Sequence, residues 1–372
     1  FVRKEMNELD IAIESAIKKG STDIHIGRTA RIRVDGSLVP LVGVAAPDPQ
    51  TAAQQILAKF PRERSKFFAE KLGRGEDIDL AFSSPSNARI RANIYMCESG
   101  MQIALRVIPA RRLTATEIGI PFPVADICRR SSGLFVATGA NGSGKTTTLA
   151  AVVDIINESR GLHILTIEDP IEYVIKSAKS MVSQREIGRD APDFYSALRS
   201  AVRENPDVIV LGEMRDLETT RTAIELAETG HLVFATLHTR TAVSTIDRLV
   251  GQFGAGEQPQ IRMMLSENLL GVLSQTLVRQ KRGGMIAAFE MLTANAAVRN
   301  LIREQHVPQI LSVLQTGRQS GMCTMEDSLL NLVERGLVSP ADALDKAFRP
   351  QELLKAMRDS PKIPQNELIG LK

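Results

Sequence analysis

Residues 133–149 read GLFVATGANGSGKTTTL, and the remaining chain is read outward from this stretch. Residues 134–138 form a short β-branched and aromatic apolar run. The run empties into Gly139, Ala140, Asn141, Gly142, Ser143, Gly144, Lys145 and Thr146, which fit the G-x-x-x-x-G-K-[ST] pattern in its required strand, loop and helix context. Gly139, Gly142 and Gly144 carry no Cβ and accept positive φ, so the backbone N–H groups of residues 141–147, Thr147 included, can curl around a phosphate at a helix N-terminus. Lys145 supplies a point charge for the β- and γ-phosphates, and the Thr146 hydroxyl is placed to ligate a bridging Mg²⁺. A plain Gly-rich connecting turn would not fill every fixed position of the pattern.

At 372 residues the chain exceeds what one core usually serves, so two domains are expected. Lys plus Arg (46) barely exceeds Asp plus Glu (43), which gives no strong field for nucleic acid or an anionic membrane. Cys97, Cys128 and Cys323 are isolated and form no C-x-x-C pair, so they read as small hydrophobes rather than disulfide partners or zinc ligands. No apolar run approaches the roughly 18 residues that a membrane span needs, and the reading is of a cytoplasmic protein.

Before the phosphate loop the pattern is α+β. Leu9, Ile13, Ala16 and Ile17 recur at helical spacing and Gly20 closes that helix. Ile24 and Ile26 then alternate with Asp23 and His25, Arg31 and Arg33 alternate with Ile32 and Val34, and Asp35-Gly36 reads as a hairpin turn. Helices over residues 51–59 and through Phe67 and Phe68, and strands over 78–82, 89–95 and 102–108, complete a first domain at 1–108. Residues 109–123 carry three prolines and little periodicity and read as the linker to a second domain at 124–372.

In the second domain, residues 163–167 form a buried-type strand ending in Glu168, Asp169 and, shortly after, Glu172. This strand is expected next to the phosphate-loop strand, and acids at the carboxyl end of such a strand lie in the ligand crevice. Residues 207–211 form a third strand followed by Gly212 and Glu213, and residues 231–237 a fourth ending at His238. Beyond Ala242 the pattern is helical except for residues 282–293, which read as a strand, and residues 359–372 read as a frayed tail.

With Ile167-Glu-Asp-Pro-Ile-Glu172, Gly212-Glu-Met-Arg-Asp216 and Ala227-Glu-Thr-Gly-His-Leu-Val-Phe-Ala-Thr-Leu-His238 following the phosphate loop in order, the chain resembles the secretion-ATPase superfamily and, within it, the PilT branch of pilus retraction motors. These segments resemble that family's Asp box, Walker B and His box. Ala297-Val-Arg-Asn-Leu-Ile-Arg-Glu304 resembles the motif of retraction motors, with Val298 for the usual Ile. The tetracysteine insertion of extension and secretion relatives is absent.

The resemblance implies an α/β architecture: an N-terminal PAS-like α+β domain, then a RecA-like P-loop ATPase domain with a helical C-terminal region. It implies a homohexamer that converts Mg·ATP to ADP and phosphate at the cytoplasmic face of the inner membrane, working through a pilus platform protein and powering twitching motility. Motors of conjugation or type IVB secretion machines belong to the same branch and stay open. A RecA-like nucleic-acid translocase would call for basic stripes with interleaved aromatics, and this chain has no Trp and only three Tyr; no nucleic-acid partner is expected.

Residue roles follow from that match. Glu172 falls at the family's catalytic base, and a carboxylate that orients the attacking water is what a phosphate loop alone lacks. Glu213 is read as a ligand of Mg²⁺ or its water because its strand is expected beside the phosphate-loop strand, and His238 as a γ-phosphate sensor, while Glu168, Asp169 and His231 are left between local pairing and function. Arg91 and Arg106 read from the residues alone as surface charges; the resemblance makes them arginine fingers. Arg199 and Arg203 are an i,i+4 pair with either a solvated or an inter-subunit role. Arg299 and Arg303 are a like-charge pair expected to meet an acid or a moving interface.

Overall fold

The computed structural model describes residues 6–34, 37–108 and 111–371. The Asp35-Gly36 turn and the first two residues of the expected linker lie outside the described residues. The chain divides into two compact units, the first comprising residues 1–112 with Pro170–Val174, the second Leu113–Asp169 with Ile175–Lys372.

The first unit contains a six-stranded antiparallel sheet in the order β3-β2-β1-β6-β5-β4, with β1 Asp23–Ile26, β2 Ala30–Val34, β3 Ser37–Pro40, β4 Ile78–Ser83, β5 Arg89–Cys97 and β6 Gly100–Ile108. Alternation decides its faces. Ile24, Ile26, Ile32, Ile90, Ala92, Ile94, Ile103 and Leu105 are buried in one cluster with Leu9, Ile13 and Ala16 of the helix Glu8–Lys18. That helix starts where the Asn7 side chain accepts from the Asp10 N–H and stops at Gly20, whose φ of +71° a Cβ would resist. The helices Pro49–Leu57 and Arg62–Gly73 stand near their expected places.

The second unit is built on a seven-stranded sheet in the order β13-β12-β7-β11-β10-β8-β9. Its strands are β7 Gly133–Thr138, β8 His163–Glu168, β9 Met181–Glu186, β10 Val208–Leu211, β11 Leu232–Leu237, β12 Leu269–Arg279 and β13 Met285–Thr293. All neighbouring pairs are parallel except β12 with β13. The interior strands β7, β10 and β11 are buried at every residue, because helices cover both faces and their apolar runs are therefore continuous.

Three expectations are corrected here. The strand order puts β11 between β7 and β10, so the strand ending before Glu213 is not beside the phosphate-loop strand; the His238 strand is. The strand β8, which ends in Glu168, is separated from β7 by two strands, β11 and β10. Finally, β12 falls in sequence expected to be helical. Its apolar residues Leu269, Val272 and Leu273 fit i, i+3, i+4 spacing, and burial on both faces erases the alternation that would reveal a strand. The edge strand β9, whose apolar residues are only Met181 and Val182, carries too little apolar pattern to read as a strand.

The C-terminal helices Met325–Glu334, Pro340–Lys346 and Pro350–Asp359 pack with Val278 and Ala288 in their own cluster. The tail expected to fray joins it: Ile363 and Leu368 are buried, and Glu367 pairs with Lys281 at 2.9 Å. Leu368 returns five positions after Ile363, a spacing too irregular to register as periodicity.

Candidate nucleotide site

The loop between β7 and the helix Lys145–Ser159 places Gly139, Gly142 and Gly144 at φ values of +145°, +76° and +90°. Lys145 is buried, and its Nζ donates to the carbonyls of Gly139 at 2.7 Å and Ala140 at 3.0 Å. Burial pushes its ammonium pKa down, and the charge of Glu213 opposes that shift. Ser143 Oγ is buried and has no hydrogen-bond partner among the described residues. Asn141 and Gly142 are exposed at the loop's tip, while Thr146 and Thr147 sit half-buried in the first helical turn.

His238 follows β11, the strand paired with β7. Its Nδ1 lies 3.5 Å from Lys145 Nζ and its Nε2 lies 2.9 Å from Glu213 Oε2. Lysine only donates, so in these contacts Nδ1 faces a donor and Nε2 faces a carboxylate acceptor. The other Glu213 oxygen is held by Arg215. Lys145, His238 and Glu213 therefore form one chain of contacts although 93 and 25 residues separate its successive members. Thr138 Oγ1 donates to the Thr239 carbonyl at 2.7 Å, tying the end of β7 to the turn after His238.

His231 takes the local option. Its ring Nδ1 lies 3.1 Å from the Leu226 carbonyl, where it caps the end of the helix Leu217–Glu228 just before β11. Glu168 also pairs locally: it accepts from Thr166 Oγ1 at 2.6 Å and from Gln184 Nε2 at 3.0 Å. Gln184 in turn accepts the Ile175 N–H at 2.7 Å, so one side chain on β9 holds both roots of the segment 169–174.

Glu172 sits in the part of that segment, Pro170–Val174, that belongs to the first unit. There the Ile171 carbonyl accepts from Arg89 Nε at 3.2 Å and the Val174 carbonyl from Arg112 at 2.9 Å. Arg91 and Arg106 also belong to the first unit, and the fold makes them direct cross-strand partners on β5 and β6, on the face turned away from the core. Each has a carboxylate: Asp79 lies 3.9 Å from Arg91, and Asp23 lies 3.0 Å from Arg106 Nε. Burial raises the Asp23 carboxyl, but hydrogen bonds from Thr22 and Arg106 and the charges of Arg106 and Arg33 outweigh it and hold the pKa below the usual range. Arg199 and Arg203 are exposed, with the Arg199 guanidinium 5.8 Å from the Tyr195 ring centroid.

Sequence reasoning missed Gln275. It lies on β12, is buried, accepts from Thr148 Oγ1 at 2.7 Å and donates to the Ser143 carbonyl at 2.7 Å. Its only sequence signal was a polar residue inside an apolar run.

Residues 5–337 match the family described as Type II/IV secretion system protein. This chain belongs to that family. Within the family its likeness is to the PilT branch. It is 44% identical over 336 residues to the "Type IV pilus retractation ATPase PilT" of Pseudomonas aeruginosa, covering 90% of this chain and 96% of the relative. It is 44% identical over 326 residues to the "Twitching motility protein" of Neisseria gonorrhoeae, covering 87% and 86%. Among solved structures, the pilus retraction motor PilT with bound ADP superposes with a TM-score of 0.84 at 41% identity, covering 94% of this chain and 100% of that one. The ATPase DotB of Legionella pneumophila superposes at 0.73 with 28% identity, covering 90% and 93%. As a member of this branch the chain has the two-domain fold, with a RecA-like ATPase domain after an N-terminal domain. No helix among the described residues is long and apolar enough to cross a membrane.

Proposed function

We propose that this type II/IV secretion system protein is an ATP-hydrolysing motor that powers type IV pilus retraction. The observation that carries the reading is the phosphate loop: three glycines at positive φ, a buried lysine on their carbonyls, and a neighbouring strand that brings His238 and Glu213 to that lysine. Among the described residues the buried Lys145 ammonium donates to carbonyls, with Glu213 the acid acting on it, so it gains from a phosphate, and Ser143 Oγ, without a partner among those residues, is a further polar atom for a phosphate oxygen. The higher identity and TM-score to the retraction motor than to DotB favour pilus retraction over a secretion machine.

In this reading Gly139, Ala140, Asn141, Gly142, Ser143, Gly144, Lys145, Thr146 and Thr147 bind the triphosphate of ATP. The Thr146 hydroxyl and the Glu213 carboxylate are hard oxygen donors of the kind Mg²⁺ takes, and they would hold it directly or through water. When bound, the metal would neutralise phosphate charge. His238 reports on the terminal phosphate through its contacts with Lys145 and Glu213. Glu172 orients the water, and Arg91 and Arg106 stabilise charge on the transferred group. The functional domains are residues 1–108 and 124–372, joined by 109–123. The working assembly is a homohexamer at the cytoplasmic face of the inner membrane, acting on a pilus platform protein.

The test is Lys145→Ala. Equilibrium binding of a fluorescent ATP analogue should be lost, phosphate release should cease, and cells carrying the variant should extend pili without retracting them. Normal nucleotide affinity in the variant would overturn the assignment of the site.

A further inference from the structure

We infer that Gln275, on a strand remote in sequence, is a positioning residue that holds the phosphate loop in its anion-accepting shape. The inference rests on the nucleotide-binding reading of that loop and adds to it a residue from outside the motif. Gln275 is 4% exposed, and its amide spans the loop and the helix that follows. Oε1 accepts from Thr148 Oγ1 at 2.7 Å across 127 residues of chain, and Nε2 donates to the Ser143 carbonyl at 2.7 Å across 132.

The geometry gives this bond a consequence. A trans peptide points its carbonyl and its N–H in opposite directions. Fixing the Ser143 carbonyl on Gln275 therefore points the Gly144 N–H of the same peptide away from Gln275, leaving it free to donate to an anion held by the loop. An unheld carbonyl at that position is free to rotate toward the phosphate and repel it. The loop is shaped to admit Gln275: a Cβ on Gly139 would stand 2.3 Å from the Gln275 carbonyl oxygen, and one on Gly144 would stand 2.8 Å from its Nε2. Two glycines of the motif are thus required by close approach to this residue as well as by φ.

The chemistry demanded is narrow. The site needs one acceptor facing a hydroxyl and one donor facing a carbonyl, from a neutral group buried between strand and loop. Leucine offers neither. Glutamate keeps the acceptor for Thr148 but sets a carboxylate oxygen against the Ser143 carbonyl. β12 also pairs with β7 directly, so the loop is held by the backbone of this strand at one end and by its side chain at the other.

The experiment measures ADP and ATP-analogue affinity and melting temperature of the full chain for Gln275→Leu, Gln275→Glu, Thr148→Val and the Gln275→Leu/Thr148→Val double variant, with Lys145→Ala as the control. Gln275→Leu should weaken nucleotide binding by about tenfold or more, which equals about 1.4 kcal/mol. Gln275→Glu should weaken it comparably, Thr148→Val by less, and the double variant no further than Gln275→Leu alone. Amide exchange across residues 139–147 without nucleotide should speed up in both Gln275 variants. Affinity within twofold of the unmodified protein in the folded Gln275 variants, with only the melting temperature lowered, would make Gln275 a packing residue and overturn the inference. Should Gln275→Leu not fold, Gln275→Glu decides the matter on the same readout. Undiminished binding by Lys145→Ala would instead strike at the nucleotide reading itself.

Discussion

The phosphate loop and the Arg91–Arg106 pair are built on opposite plans. The loop lies in the second unit, where Lys145, Ser143 and Gln275 are buried and its carbonyls are already engaged. The arginines lie in the first unit on a solvent-facing sheet surface, each held by one carboxylate, and the Arg106 side chain is 68% exposed. Groups that bind a ground-state phosphate gain from being fixed in advance. Groups that act only on the transition state gain from arriving late, and single exposed ion pairs, worth roughly 0–1 kcal/mol, are weak enough to exchange. If the roles proposed above hold, the difference makes binding and hydrolysis separable: the binding groups are fixed in advance, while the proposed fingers rest in weak ion pairs of the other unit.

The sharpest way to break that comparison is Arg91→Ala and Arg106→Ala. Arginine fingers are worth roughly 10³–10⁵ in rate, so steady-state phosphate release should nearly vanish while ATP-analogue affinity stays within a few-fold. Mixed assemblies with Lys145→Ala subunits should regain some turnover if the arginines act across subunits. A parallel loss of affinity and turnover would place the arginines in ground-state binding and erase the contrast.

Next in size is Glu172→Gln. General-base roles contribute roughly 10²–10⁴, so turnover should fall by that factor with nucleotide still bound, as single-turnover phosphate release would record. Arg89→Ala releases the Ile171 carbonyl next to Glu172 and should lower kcat by a smaller factor without changing KM. In a Glu172→Gln background it should have no further effect.

The smallest effect sharpens the comparison from outside the site. Arg299, with Arg303, was expected to be answered by an acid or by a partner or moving interface. Instead its guanidinium bonds the carbonyls of Ala294, Ser266, Glu267 and Leu269, closing the end of the helix Gln258–Asn268. On the same helix, Val298 and Ile302 are buried. A cation on the negative end of a helix is structural work, so Arg299→Ala should cost about 1–3 kcal/mol of stability in denaturant titration. The exposed Arg303 is the residue left for coupling, and Arg303→Ala should leave stability and ATPase activity unchanged while pilus retraction in cells slows. Wild-type stability in Arg299→Ala would return Arg299 to the coupling role.

Much of this was open to reading in the primary structure because it is local. Glycine spacing at 139, 142 and 144, the apolar runs of β7, β8, β10 and β11, and the helix stop at Gly20 depend on residues within a few positions of one another. So do the acids and histidine that end those strands, which is why Glu213 and His238 could be named before their contact was seen. Tertiary structure alone decided the rest. Strand order is set by which faces must be covered, so only the fold shows that β11 rather than β10 adjoins the phosphate loop, and that Arg91 and Arg106 stand side by side. β12 hid because a strand buried on both faces has no alternation to display, and Gln275 hid with it. Its hydrogen bonds reach across 127 and 132 residues, and a chain read in order carries no record of such distances until the sheet closes them.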